Sequence, residues 1–152
     1  MAGLTSALCT SFKVELLEGD HDFNNGADAF KVALFKANAS ITGTYGAATT
    51  NYSDMTGNSD ELPNGSGYTT GGYTLTNVNP TSTGTTAFTD FSANAQWTSA
   101  TFTTRGCLIY NSNDGNSAVA VIDFGADYSV SGGTFEIQWP TADSSNAIIR
   151  IA

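Results

Sequence analysis

Charge is what this chain has least of. Asp, Glu, Lys and Arg make up 12% of its 152 residues, about half the usual share, so Ser, Thr, Asn and Gly must supply most of the polar surface. That mixture suits strands and turns better than helices. Cations are the scarcer sign: Lys13, Lys31, Lys36, Arg105 and Arg150 stand scattered against fourteen acids, for a net charge of -9. Phosphate backbones and anionic lipid surfaces are therefore poor partners, and neither a nucleic-acid nor a membrane partner is expected. No stretch approaches the roughly 18 apolar residues that span a bilayer. One histidine and two distant cysteines do not make a closed zinc site. Spacing alone permits a Cys9–Cys107 disulfide, but no secretory leader precedes Cys9 and the N-terminus reads as mature sequence, so two free thiols are expected. No repeat or linker divides the chain, and its length matches a single domain over 1–152 with one core.

The hydrophobic pattern predicts one helix followed by strands. Over Thr5 to Glu18, Thr5 or Ser6 is the expected N-cap, Leu8, Phe12 and Leu16 recur at four-residue spacing, and Gly19 is placed to close the helix. Val14 and Leu17 lie on another side and are candidate interface residues, although a helix wedged inside the core is an equal reading. From Gly19 the period changes to two. Phe30, Val32 and Leu34 alternate with Lys31, Ala33 and Phe35, as in a strand with a second, partly apolar face. The stretch 37–72 is poor in aliphatics and predicts long surface loops with a short helix near Asn51 to Met55. Strands are expected at 73–78, 85–91, 95–98, 101–110, 118–124, 134–139 and 147–151, with a hairpin turn over 111–116. The expected fold is mainly β: an antiparallel β-sandwich over 29–152, of which the jelly roll is one form, with one N-terminal α-helix over 5–18. The last strand should tie the C-terminus into the fold.

Candidate chemistry is thin. Asp20 to Asp28 alternates oxygen ligands as a calcium loop does, but its glycine, Gly26, is one position late and Lys31 stands where the bidentate glutamate belongs. A solvated turn is the better reading, and no metal or other cofactor is expected. His21 has no local partners that would make Cys9 a nucleophile, so a surface or half-buried histidine is expected. Asp123 and Glu136 are the acids most embedded in strands, where alternation favours the solvent face. No mechanistic motif emerges, and no catalytic residues are expected. Tyr68 and Tyr73 flank Gly71 and Gly72, and Trp97 and Trp139 lie in strands. Exposed together these rings would suit sugar stacking; otherwise the tryptophans are core and the tyrosines candidate interface residues.

Several blocks carry a resemblance. Ser6-Ala-Leu-Cys-Thr-Ser-Phe-Lys13 with Glu15-Leu-Leu17, Phe30 to Phe35, Gly67 to Gly72, Arg105 to Asn111, Ala118 to Gly125, Trp139 to Asp143 and Asn146 to Ala152 together cover nearly the whole chain. They resemble small structural proteins encoded among the virion genes of tailed bacteriophages. The resemblance implies a virion component and, within that class, a capsid cement or decoration protein made in the host cytoplasm and seated on the outer capsid surface. It implies the major capsid protein as partner and no enzymatic activity. Threefold positions on such a shell favour a homotrimer, with the helix and the 37–72 region as candidate contacts. The alternative is a carbohydrate-binding or structural module of a tail or head fibre.

Overall fold

A computed structural model describes residues 2–152. In chain order the elements are β1 (Gly3–Leu4), β2 (Ala7–Leu8), α1 (Thr10–Glu18), β3 (Phe30–Leu34), a single 3-10 turn (Asn38–Ser40), β4 (Thr44–Tyr45), α2 (Tyr52–Gly57), β5 (Tyr73–Thr74), β6 (Thr81–Thr83), β7 (Thr86–Thr89), β8 (Ala95–Asn111), β9 (Ser117–Ile137) and β10 (Ile149–Ile151). The protein is mainly β, 45% strand and 12% helix, with antiparallel sheets and a leading helix.

The framework is a five-stranded antiparallel sheet in the order β2-β9-β8-β3-β5, accompanied by a three-stranded sheet β10-β7-β6 and a small parallel pair β1-β4. This arrangement is sandwich-like. β3 sits between β8 and β5 with Phe30, Val32, Ala33 and Leu34 all fully buried. Both of its faces are covered, which explains why its apolar residues do not simply alternate.

The helix is shorter than its pattern predicts. Ala7 and Leu8 are a strand paired with Val121 and Ala120, because satisfying the backbone edge of β9 outweighs extending the helix by a turn. α1 therefore starts after Cys9, in extended conformation and without a side-chain cap, so Thr5 and Ser6 are not the N-cap. Its end is as expected: Gly19 is left-handed at φ 88° and donates its N–H to the Glu15 carbonyl. Phe12 is the residue α1 buries, packed against His21 and edge-on to Phe23.

The strands expected at 95–98 and 101–110 are one strand, β8, and those at 118–124 and 134–139 merge into β9. Bulges account for the apparent breaks. Ser99 (φ 49°) and Gly132 (φ 63°) take the left-handed region where the β8–β9 register shifts, and four β9 residues between Asp123 and Tyr128 face the single Arg105. The strand expected at 73–78 is regular only at Tyr73 and Thr74. The expected C-terminal strand is present as β10, paired with β7.

The 37–72 region is a correction of another kind. It is irregular, with α2 where a short helix was expected, yet Tyr45, Met55, Asp60, Glu61, Leu62 and Tyr68 within it are buried. Two carboxylates satisfy its backbone. Asp60 accepts from Thr42 N at 2.9 Å, Gly43 N at 2.8 Å and the Tyr45 hydroxyl at 2.6 Å. Glu61 accepts from the Tyr52 hydroxyl at 2.5 Å, the Tyr68 hydroxyl at 2.7 Å and Gly71 N at 2.7 Å. Burial would raise the Asp60 carboxyl, but the Tyr45 hydroxyl and the Thr42 and Gly43 donors outweigh it and hold it below its ordinary value. These internal partners let a loop-rich segment enter the core.

Candidate functional site

The single histidine is buried, not surface or half-buried as expected, and its side chain is 0% exposed. His21 Nδ1 lies 3.0 Å from Asn111 Nδ2, and Nε2 lies 2.9 Å from Glu15 Oε2. The orientation of the Asn111 amide follows from its other bonds. Its Oδ1 accepts from the N–H groups of Asn113 and Asp114, and its Nδ2 donates to Asp28 Oδ2 as well. Nδ1 must therefore accept from Asn111, so neutral His21 carries its proton on Nε2 and donates it to Glu15. Glu15, His21 and Asp114 bring ligand-type atoms within 4.8 Å of one another, yet this tautomer points a proton, not a lone pair, at that space. The arrangement fits a structural clamp tying α1 and the 20–28 turn to the β8–β9 turn better than a metal centre. Within the turn, Asp22 Oδ1 accepts from Asn24 N and Asp28 Oδ2 from Asp22 N.

Of the four residues flagged for an interface, the structure separates two from two. Val14 is 52% and Leu17 90% exposed on α1. Tyr68 is buried: its hydroxyl accepts from Leu34 N and donates to Glu61. Tyr73 is half-buried and packs edge-on against buried Trp97, to which Tyr68 also stacks. The suggested sugar platform of Tyr68, Tyr73, Trp97 and Trp139 is thus not one exposed surface.

A different surface is open. β9 is paired to β8 along its length, but β2 covers its outer edge only at Ala120 and Val121. From Phe124 to Ile137 that edge faces no strand among the described residues. Along it runs a cleft of about 410 Å³ with apolar walls of Ile122, Phe124, Tyr128, Phe135, Ile137, Trp139 and Ile148. Phe135 through Pro140 line it consecutively and no β8 residue does. The ring centroids of Phe124 and Phe135 stand 6.2 Å apart, so β9 curls around the cleft, which it and the residues after it line without any from β8. Ile148, which also lines it, immediately precedes β10, itself an outer strand of the three-stranded sheet.

Compared with protein-family models, curated proteins and solved structures, the chain has no significant match. Its own geometry must carry the functional reading.

The cleft carries one uncompensated charge. Asp123 is paired with Arg105 at 2.7 Å, a bond that lowers its carboxyl from the ordinary value. Glu136 accepts from the side-chain amides of Gln138, Gln96 and Asn94, which hold it lowered and charged, and no cation lies within ion-pair distance of it among the described residues. Sequence reasoning placed Glu136 and Trp139 in a strand but missed Phe124, Tyr128 and Phe135 as a set. The signal was there as four aromatics over 124–139, obscured because Gly125, Gly132 and Gly133 interrupt the alternation.

Proposed function

We propose that this chain is a non-enzymatic structural protein of a tailed-phage virion, a cement or decoration protein that binds the outer surface of the capsid shell. The observation that carries this reading is the apolar cleft along an unpaired sheet edge, on a scaffold whose other polar groups are largely engaged internally. Open apolar surface on a rigid platform suits docking on a protein neighbour. The resembling blocks support it from a second side, since Phe30–Phe35, Arg105–Asn111 and Ala118–Gly125 build the central strands. The groups best suited to covalent chemistry are withdrawn. Cys9 and Cys107 are buried free thiols, and burial pushes Cys9 up to about 12 and Cys107 higher still, so neither is a thiolate at neutral pH.

The partner in this reading is the major capsid protein, and a homotrimer matches threefold positions on the shell. Heads assembled without the protein keep their shape but release DNA at lower temperature than heads to which it is added back, because binding stabilises the state it prefers. Identical thermal release curves with and without it would overturn the cement role. Binding to host glycans without binding to heads would place it in a fibre.

A further inference from the structure

We infer that the outer edge of β9 accepts a strand: an extended segment of a partner protein, apolar on one face and carrying lysine or arginine, pairs with the backbone at Thr134–Ile137 and lays its apolar side chains into the cleft. The inference rests on the structural role proposed above for the kind of partner, a protein neighbour in an assembly, but not for the site.

Four observations lead there. First, this is the longest unpaired edge in the described fold. The far side of β8 also lacks a strand over Ala95–Arg105, but there Thr101 N donates to the Ser66 carbonyl. The outer strands β2, β5, β6 and β10 have two or three residues each, and short edges offer little to a visiting strand. Second, β9 lacks two of the usual protections of an exposed edge, containing no lysine and no proline. Its own register shifts lie at Val119, at 124–127 and at Gly132, and Thr98 and Ser99 of β8 together face Thr134, leaving Phe135–Ile137 in regular one-to-one register with Trp97, Gln96 and Ala95. Third, the cleft beside that register is apolar, so an added strand gains side-chain burial as well as ladder hydrogen bonds. Fourth, the charge selects the occupant. Glu136 borders the cleft as a carboxylate with no cation in ion-pair distance among the described residues, and the chain as a whole is at -9. A second copy would bring the same sign and a β9 without lysine, whereas a basic segment places one cation opposite Glu136.

The test uses the whole chain and three synthetic octapeptides: alternating valine and lysine, alternating valine and glutamate, and the valine–lysine peptide interrupted by proline. Amide hydrogen exchange is followed residue by residue. The valine–lysine peptide at saturation slows Thr134–Ile137 by about tenfold or more; the proline peptide, unable to complete a ladder, does not. The valine–glutamate peptide binds more weakly, and Glu136→Gln narrows the gap between the two. Unchanged exchange at Thr134–Ile137, or protection centred on α1 instead, overturns the site. Equal binding of lysine and glutamate peptides overturns the charge selection. Co-sedimentation with heads separates this from the broader role. A chain that binds heads but not the peptide retains the cement role and loses the strand site; one that binds the peptide but not heads does the reverse.

Discussion

The two ends of the β8–β9 hairpin are built from the same pair of strands and behave as different materials. Next to the turn, Gly106–Asn111 and Ala118–Val121 are buried, with β3 on one flank and β2 on the other. Beyond Asp123, Gly125–Ser129 are exposed, the register is broken by bulges, and one edge has no neighbour among the described residues. Pairing between the two strands resumes beyond each bulge, as far as Ala95 and Ile137, so pairing alone does not make the difference. What differs is whether the second edge and both faces are occupied, which is where most of a strand's stability arises.

The largest test of that contrast is cavity formation. Ile109→Ala, in the buried half, is expected to cost about 2–5 kcal/mol. Tyr128→Ser, at a position 51% exposed in the outer half, is expected to cost under about 0.5 kcal/mol. Urea unfolding of both variants checks this, and equal losses would erase the distinction.

Adding a methyl group probes the same boundary. A Cβ on Gly106 would lie 2.3 Å from the Ile122 carbonyl oxygen and 2.6 Å from Leu4 Cδ1. Gly106→Ala should therefore cost about 1–3 kcal/mol through overpacking. Gly132 has open space around its Cβ position but a φ of +63°, so Gly132→Ala should cost only about 1 kcal/mol of backbone strain. The ordering sharpens the comparison: crowding governs the junction, local conformation the outer ribbon.

Acid should loosen the junction between the halves. The Arg105 bond lowers Asp123, against burial and with help from Gly125 N. A carboxyl lowered on folding contributes fully above its unfolded value of about 3.9, and loses that contribution as pH falls through the folded value. Asp123→Asn should thus show a smaller drop in melting temperature between about pH 7 and pH 3. Asp90 works in the opposite sense. Burial raises it despite bonds from Phe91 N and Ile148 N, so its protonation on acidification relieves a cost. An unchanged acid response in Asp123→Asn would remove the ion pair from the account. The smallest expected effect is that of chelation. With the Nε2 proton of His21 directed at Glu15, EDTA should leave the melting temperature unchanged. A loss of several degrees restored by calcium or zinc would show that the turn-proximal network holds an ion.

Much of the fold was legible because its signals are local. Alternation around Phe30–Phe35, the cap at Gly19 and the turn formers at 111–116 each name their element from a few neighbours. The cleft was not legible for the same reason: Tyr128 and Phe135 sit among Gly and Ser, where period-two reading fails at each bulge. Nor does any residue near Tyr68 announce that its hydroxyl is held by Glu61 and Leu34 rather than turned to solvent.

Composition and periodicity by themselves determined a β-rich chain with one leading helix and a strong negative charge, because these are sums and short-range patterns. Tertiary structure alone decided that Ala7 and Leu8 are strand rather than helix, that His21 is clamped between Glu15 and Asn111, and that β9 is sealed at one end and open along the rest. The partners are distant in sequence: those of His21 alone stand 6 and 90 residues away. A strand edge is closed or open only once the rest of the chain has chosen where to lie.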